Sequence, residues 1–280
     1  MAIITFKSNE IKETAQTLSI AAVATQLAIE RNFKVLLVST NFKDKTLEEC
    51  FWEVNKKTSL ANAVGIEAPK VGIETGVEGL MRVIASNKTS PEIVKNYSKI
   101  ILRDRLDVLP SPNVTDDKDY ENVASRYPEI LQLANRYYDI ILVDLSKKMS
   151  EQQAENIIQI SDVVVVNLTQ RLKSIDDFIE LRETEEFYKR KHIMLLIGRY
   201  DAFSKYNTKN ITRYMKEKKM VNVIPYNTLF FEACSEAKII DFFLRIKNVD
   251  ETDRNYLFIK EVSNMGNNII YKLQELQMKL

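Results

Sequence analysis

The chain is punctuated by short apolar runs at 3–6, 35–38, 106–109, 140–143, 163–166, 193–197 and 221–224, four of them nearly unbroken Val, Ile and Leu. A strand with one wet face alternates apolar and polar residues. Runs that do not alternate are strands covered on both faces, as in parallel sheets. Stretches with helical patterning fall between the runs, so the sequence predicts an α/β protein. Its sheet is doubly wound and mostly parallel, of about seven strands, with helices on both faces. The first crossover helix shows Ala21, Ala22, Ala24, Leu27 and Ala28, a small-residue face suited to close packing on a sheet. Further helices are expected at 91–102, opened by Pro91, and at 120–135, 150–160, 175–190 and 210–219. Segments 55–79 and 111–118 read as loops, the first with a short helix. No repeat or linker divides the 280 residues, so 1–280 reads as a single domain with 249–280 as a C-terminal helical segment.

Composition narrows the function classes. With 45% hydrophobic residues the chain can offset its ordering entropy, which excludes disorder as its main state. Forty Lys and Arg face thirty-nine Asp and Glu, so any surface for a polyanion must be local. The two cysteines, Cys50 and Cys234, and one histidine, His192, exclude a disulfide framework, a four-ligand zinc site and histidine-centred nucleophilic catalysis. Both cysteines read as core residues. No run approaches the ~18 residues of a membrane span. The chain reads as cytoplasmic, with peripheral contact at the inner face of a membrane left open. Glycine is the sharpest count: there are six, and the first is Gly65. The first 64 residues therefore hold no ordinary glycine-rich phosphate loop, whose amides must approach an anion unhindered by a Cβ.

The first forty residues nevertheless run strand IITF, polar loop KSNEIKETAQTLS, helix IAAVATQLAIERNF, strand KVLLVST. This layout resembles the MinD/ParA group of deviant-Walker P-loop ATPases. YYDIILVDLS resembles the group's Walker B strand, with Asp144 on the metal side. VVVVNLTQRLKSIDDF resembles the next strand and a Thr-x-x-x-x-Ser segment, here Thr169 and Ser174. LLIGRYD and VNVIPYNTLFFEACSEAKIIDFF resemble the elements that flank the base. The order of elements agrees over residues 1–245. RVIASNKTSPEIV followed by RLDVLPSPN most resembles the CpaE/TadZ branch, associated with pilus assembly; here the ATPase-like strand begins at residue 3, where TadZ-type proteins first carry a receiver-like domain.

Aligned with the family loop Lys-Gly-Gly-x-Gly-Lys-Thr-Thr, the chain reads Lys12, Glu13, Thr14, Ala15, Gln16, Thr17, Leu18, Ser19. No glycine remains, Thr17 replaces the phosphate-binding lysine, Leu18 the magnesium-binding hydroxyl, and Glu13 adds a carboxylate. Lys12 matches the signature lysine. Ser39 and Asn41 stand for two aspartates at the end of the second strand, and Gly198 for the base-side asparagine, with Arg199 beside it. The resemblance thus implies a vestigial nucleotide site of Lys12, Gln16, Thr17, Ser19, Asn41, Asp144, Arg199, Pro225 and Asn227, with no catalytic residue and no metal ligand set. No cofactor is expected; ATP and magnesium belong to the alternative of an atypical ATP-binding dimer switch. The implied function is a pseudo-ATPase that positions or assembles a membrane-associated machine such as a Tad-type pilus, with that assembly's proteins and a second copy of the chain as partners.

Two further stretches stay open. Between Lys189 and Lys219 ten Lys and Arg residues accompany only Asp201 and Glu217, with Tyr200, Tyr206 and Tyr214 interleaved. This reads either as a grip on nucleic-acid phosphates, for a partition-type DNA-binding protein, or as a solvated face paired with the acids of 176–186. At the C-terminus Ile259, Val262, Ile269, Ile270, Leu273, Leu276 and Leu280 fall near helical spacing. Their polar side lacks the basic face of a lipid-bound helix, so the segment reads as packed on its own domain or at a nucleotide-independent dimer seam.

Overall fold

The computed structural model describes residues 1–10, 14–54, 76–86, 90–190, 192–217 and 221–277. Among these, eight strands form one sheet: β1 (Ala2–Lys7), β2 (Val35–Ser39), β3 (Lys99–Leu102), β4 (Leu106–Leu109), β5 (Ile140–Asp144), β6 (Val163–Leu168), β7 (Ile193–Tyr200) and β8 (Asn222–Pro225). Their order is β3-β4-β2-β5-β1-β6-β7-β8. Every pairing is parallel except β3 with β4. The helices are α1 (Gln16–Glu30), α2 (Thr46–Glu49), α3 (Val77–Ala85), α4 (Ile93–Tyr97), α5 (Asp117–Ala124), α6 (Tyr127–Ala134), α7 (Glu151–Gln159), α8 (Leu172–Thr184), α9 (Glu186–Lys189), α10 (Thr208–Tyr214), α11 (Thr228–Ser235), α12 (Ile239–Ile246) and α13 (Tyr256–Gln277).

The pleat explains the unbroken apolar runs. Ile4, Phe6, Leu37, Leu142 and Val165 point to one face and join the core under α1 and α11–α13. Their neighbours Ile3, Leu36, Val38, Ile141 and Val143 point to the other, under α5–α7, while Val164 and Val166 do so under α8–α10. Both faces are buried, so neither set of positions is polar. The free thiols of Cys50 and Cys234 lie in the first of these cores.

All seven expected strands are present, and the eighth corrects the reading of 91–102 as one helix. That segment splits into α4 and the edge strand β3, because a turn with Asp104 in the left-handed region (φ 59°) folds Lys99–Leu102 back onto β4. The expected helix at 120–135 is two, α5 and α6. Pro128 in the first turn of α6 has no amide to continue a preceding helix. The expected helix at 175–190 begins earlier, at Leu172, and breaks at the extended Glu185. That at 210–219 ends at Tyr214, with 218–220 outside the described residues. Most of the expected loop at 55–79 also lies outside them.

The C-terminal segment is packed on its own domain. Helix α13 lies on α1 and β8 and buries Phe258, Ile259, Val262, Met265 and Ile269. Gly266 lets it approach α1, since a Cβ there would sit 3.1 Å from Leu27 Cδ2. Ile270, Leu273 and Leu276 pack against the same core; Leu280 is outside the described residues. Of the apolar residues that the sequence offered to a dimer seam, Ile259, Val262 and Ile269 are thus buried within the chain, and Ile270, Leu273 and Leu276 are half-buried against it. No helix among the described residues is long and apolar enough to cross a membrane. Phe258 is the keystone, its ring centroid 4.7 Å from that of Phe230 and 5.9 Å from that of Phe242. Phe258→Ala is expected to cost about 3–5 kcal/mol, read as a lower urea midpoint with an unchanged slope.

Candidate functional site

Parallel register brings three strand ends level: Phe6 and Ser39 each pair with Asp144. The chain order reverses around β1, between β5 and β6, and in open α/β sheets this is where ligand crevices form, beyond the carboxyl ends of the strands. The segment between β1 and α1 has no glycine, and its residues 11–13 lie outside the described residues. Ala15, which precedes the first turn of α1, adopts a left-handed conformation (φ 49°, ψ 32°) and offers no side-chain cap. Room for the loop comes from β7. A Cβ on Gly198 would lie 2.2 Å from the Thr14 carbonyl oxygen and 3.2 Å from Ala15 Cβ. The sequence comparison reads Gly198 as a lost asparagine; in the structure it is a spacer.

The loop is tied down by residues far along the chain. The Glu10 carboxylate accepts hydrogen bonds from Thr169 N at 3.2 Å, from the Thr169 and Ser174 hydroxyls, and from Arg171 Nη2 at 3.2 Å. The Thr-x-x-x-x-Ser segment therefore holds the chain's own carboxylate. Lys7 Nζ donates to the Tyr188 hydroxyl at 2.9 Å and Asn9 Nδ2 to the same oxygen at 3.0 Å. Lys12 and Glu13 lie outside the described residues.

Asp144 is fully buried at the end of β5. Its Oδ1 accepts from Gln16 Nε2 at 2.6 Å; its Oδ2 accepts from Thr17 Oγ1 at 2.8 Å and Asn41 Nδ2 at 2.7 Å. Burial pushes the carboxyl up to about 6, against the pull of these three donors. The nearby cation is Lys147, which donates to Thr14 Oγ1 at 3.3 Å and faces Asp144, Glu10 and Asp44; burial lowers its proton affinity. Sequence reasoning passed over Glu10 and Lys147. For Lys147 a signal was available, the Lys147-Lys148 pair directly after the strand end.

This geometry moves the loop alignment by one residue. In P-loop enzymes the loop hydroxyl and the strand-end aspartate share the magnesium ion. The hydroxyl that meets Asp144 is Thr17, one residue before the aligned Leu18, with Gln16 beside it on the same carboxylate. A helix turns about 100° per residue, which carries Leu18 away toward a pocket on the other side. The residues do not fit a magnesium nucleotide well. Both oxygens of Asp144 already accept from neutral donors, Gln16 brings no charge, and its buried Oε1 finds no partner among the described residues.

The pocket that receives Leu18 has a volume of about 370 Å³, and Ser19, Arg199, Pro225, Tyr226 and Phe230 also line it. Ser19 is buried and its hydroxyl has no partner among the described residues. Arg199 is left-handed (φ 51°) where the β7–β8 register shifts, with its guanidinium 6.0 Å from the Tyr226 ring. Asn227 also borders the pocket, but its side chain is spent on structure. Its Oδ1 caps α11 by accepting from Phe230 N at 2.9 Å, and its Nδ2 donates to Asn255. The expected site residues thus separate into two groups about the first turn of α1. Gln16, Thr17 and Asn41 surround Asp144, whereas Ser19, Arg199, Pro225 and Asn227 surround the pocket.

Two variants probe the two halves. In the folded protein Asp144 keeps a proton that the unfolded chain releases near its ordinary value of 3.8. Its contribution to stability is complete below that pH and is lost as pH rises through about 6, a loss of roughly 3 kcal/mol. Subtracting the Asp144→Asn unfolding curve from that of the parent at each pH should isolate this slope. Gly198→Ala, which drives a methyl into the Thr14 carbonyl, is expected to cost about 1–3 kcal/mol by chemical denaturation.

No protein-family model matches the chain, and no curated protein matches it. Solved structures do. The ParA family ATPase of Chlorobium tepidum TLS is similar with a TM-score of 0.70 at 14% identity, over 95% of this chain and 98% of that one. The MinD of Pyrococcus horikoshii OT3, solved with Mg-ADP, gives 0.62 at 15% identity, over 97% and 98%. The MinC:MinD cell division complex of Aquifex aeolicus gives 0.59 at 16% identity, over 95% of each chain. The chain has the fold of the ParA and MinD ATPases.

Proposed function

We propose that the chain is a positioning or assembly factor of the MinD/ParA type whose nucleotide site has lost its catalytic role. The observation that carries this reading is the closed set of contacts at Asp144. Where a lysine would face phosphate, the Gln16 amide instead spans Asp144 Oδ1 and the Leu145 carbonyl, at 2.6 and 2.9 Å. Charge-assisted contacts of the lost kind contribute about 1.5–3 kcal/mol each, and phosphoryl transfer depends almost wholly on positioning and electrostatics. A protein of this fold without turnover keeps a rigid sheet and its surfaces, which suits a scaffold. The MinD of the Aquifex aeolicus complex binds another protein, MinC; for this chain the corresponding partners are read as components of a membrane-associated assembly. The resemblance of 82–94 and 105–113 to the CpaE/TadZ branch favours a Tad-type pilus. A second copy of the chain is a further partner on this reading.

The pocket beside Ser19 favours a second reading, an atypical nucleotide-dependent dimer switch, because it offers an apolar slot and an unpartnered buried hydroxyl on the base side of the crevice. Calorimetric titration with Mg-ATP separates the two. The first reading expects phosphate release at background and no binding tighter than about millimolar, ~4 kcal/mol; micromolar affinity overturns it in favour of the second.

A further inference from the structure

We propose that the cleft where β7 and β8 begin is a second ligand site, for a small molecule that carries a pyrophosphate or similarly multiply charged oxyanion. It lies at the start of these parallel strands, whereas the crevice around Asp144 lies at the strand ends. Arg182 of α8, Lys189 of α9, Arg190, Lys216 beyond α10 and Lys272 of α13 converge on it, with Glu217 the lining acid. On a chain of net charge +1 this is a marked local excess. It also divides the basic stretch read from the sequence. Lys189, Arg190 and Lys216 reach the cleft, Arg199 borders the pocket beside Ser19, and Lys209 and Arg213 stand exposed on α10.

The cations are held in place. Arg182 bonds to the Met215 carbonyl at 2.7 Å and to the Glu217 carboxylate, and so fixes the turn that presents Lys216 between them. Arg190 lies over the Phe187 ring at 5.7 Å. Lys189 and Lys272 are each paired within their own helix, with Glu186 and Glu275. Arg190 and Lys216 have no carboxylate within 4.0 Å among the described residues, which leaves their charge available to a ligand. His192 registers the field: burial, then Arg190 and Lys272, lower its proton affinity.

Shape decides between a small ligand and a nucleic-acid backbone. A duplex is gripped by cations spread along an open surface. Here they line a concavity of about 780 Å³, within the range of small-molecule sites, with the exposed Tyr271 ring on its wall to meet an apolar or aromatic body. Two cations lining one cleft and unpaired among the described residues, Arg190 and Lys216, favour a multiply charged oxyanion over a singly charged one.

The test is titration of the whole protein with magnesium-free pyrophosphate, followed by calorimetry and phosphorus NMR. Saturable binding is expected, weaker at higher salt and reduced about tenfold or more, ~1.4 kcal/mol, in Arg190→Glu/Lys216→Glu. Lys209→Glu/Arg213→Glu makes the same change of net charge outside the cleft and should bind as the parent does. Arg190→Gln/Lys216→Gln gives an intermediate loss and covers any folding defect of the double reversal. No saturable binding, or an equal loss in both reversal variants, overturns the proposal. So does binding of a random DNA duplex that pyrophosphate fails to displace.

Discussion

A buried carboxylate with no directly bonded cation must be satisfied by neutral donors or become protonated, and among the described residues Asp144 organises the centre of this fold on those terms. Its three donors come from two places: Gln16 and Thr17 from the start of α1, and Asn41 from beyond β2. Its own carbonyl accepts from Thr40 Oγ1 at 2.9 Å. The ends of β1, β2 and β5 are thereby stitched to one atom group. Here the chain's own side chains close around the carboxylate.

The strands were legible because burial on both faces leaves a local mark, a run without polar interruptions. β3 was not, since four residues at a sheet edge carry little pattern, with Lys99 and Ile100 exposed. The Asp144 position was legible from its strand. The register of the loop was not. Glycines normally anchor such an alignment, and without them a one-residue slip had no local cost; only the contact of Thr17 with Asp144, 127 residues away, sets it. Glu10 is the same case, since its partners at Thr169 and Ser174 lie 159 and 164 positions on. Periodicity reports burial, and it is silent about which polar groups meet across a folded sheet.

The distribution of charge tells a parallel story. A net charge near zero conceals an uneven surface, with carboxylates gathered around Lys147 at the strand ends and cations where β7 and β8 begin. The expected pairing of the basic stretch with the preceding acids is partly realised. Lys189 pairs with Glu186 as expected and Tyr214 donates to Asp176 at 2.7 Å, whereas Arg182 with Glu217 is the reverse, a cation of the acidic stretch holding an acid of the basic one. What remains among the described residues is divided: Arg190 and Lys216 line the cleft, Arg199 borders the pocket beside Ser19, and Lys209 and Arg213 stand exposed on α10.

Gly198 carries a consequence for how a chain like this one is recognised. The freedom from a Cβ that a phosphate loop ordinarily keeps within its own few residues is here lodged more than 180 positions downstream, on the strand the loop rests upon. A motif is a local string, and a steric requirement shared between two strings has no local form. Loop and spacer can then change together while each, inspected alone, looks like unremarkable sequence. Likeness of this kind is carried by the shape of the backbone, not by a local string.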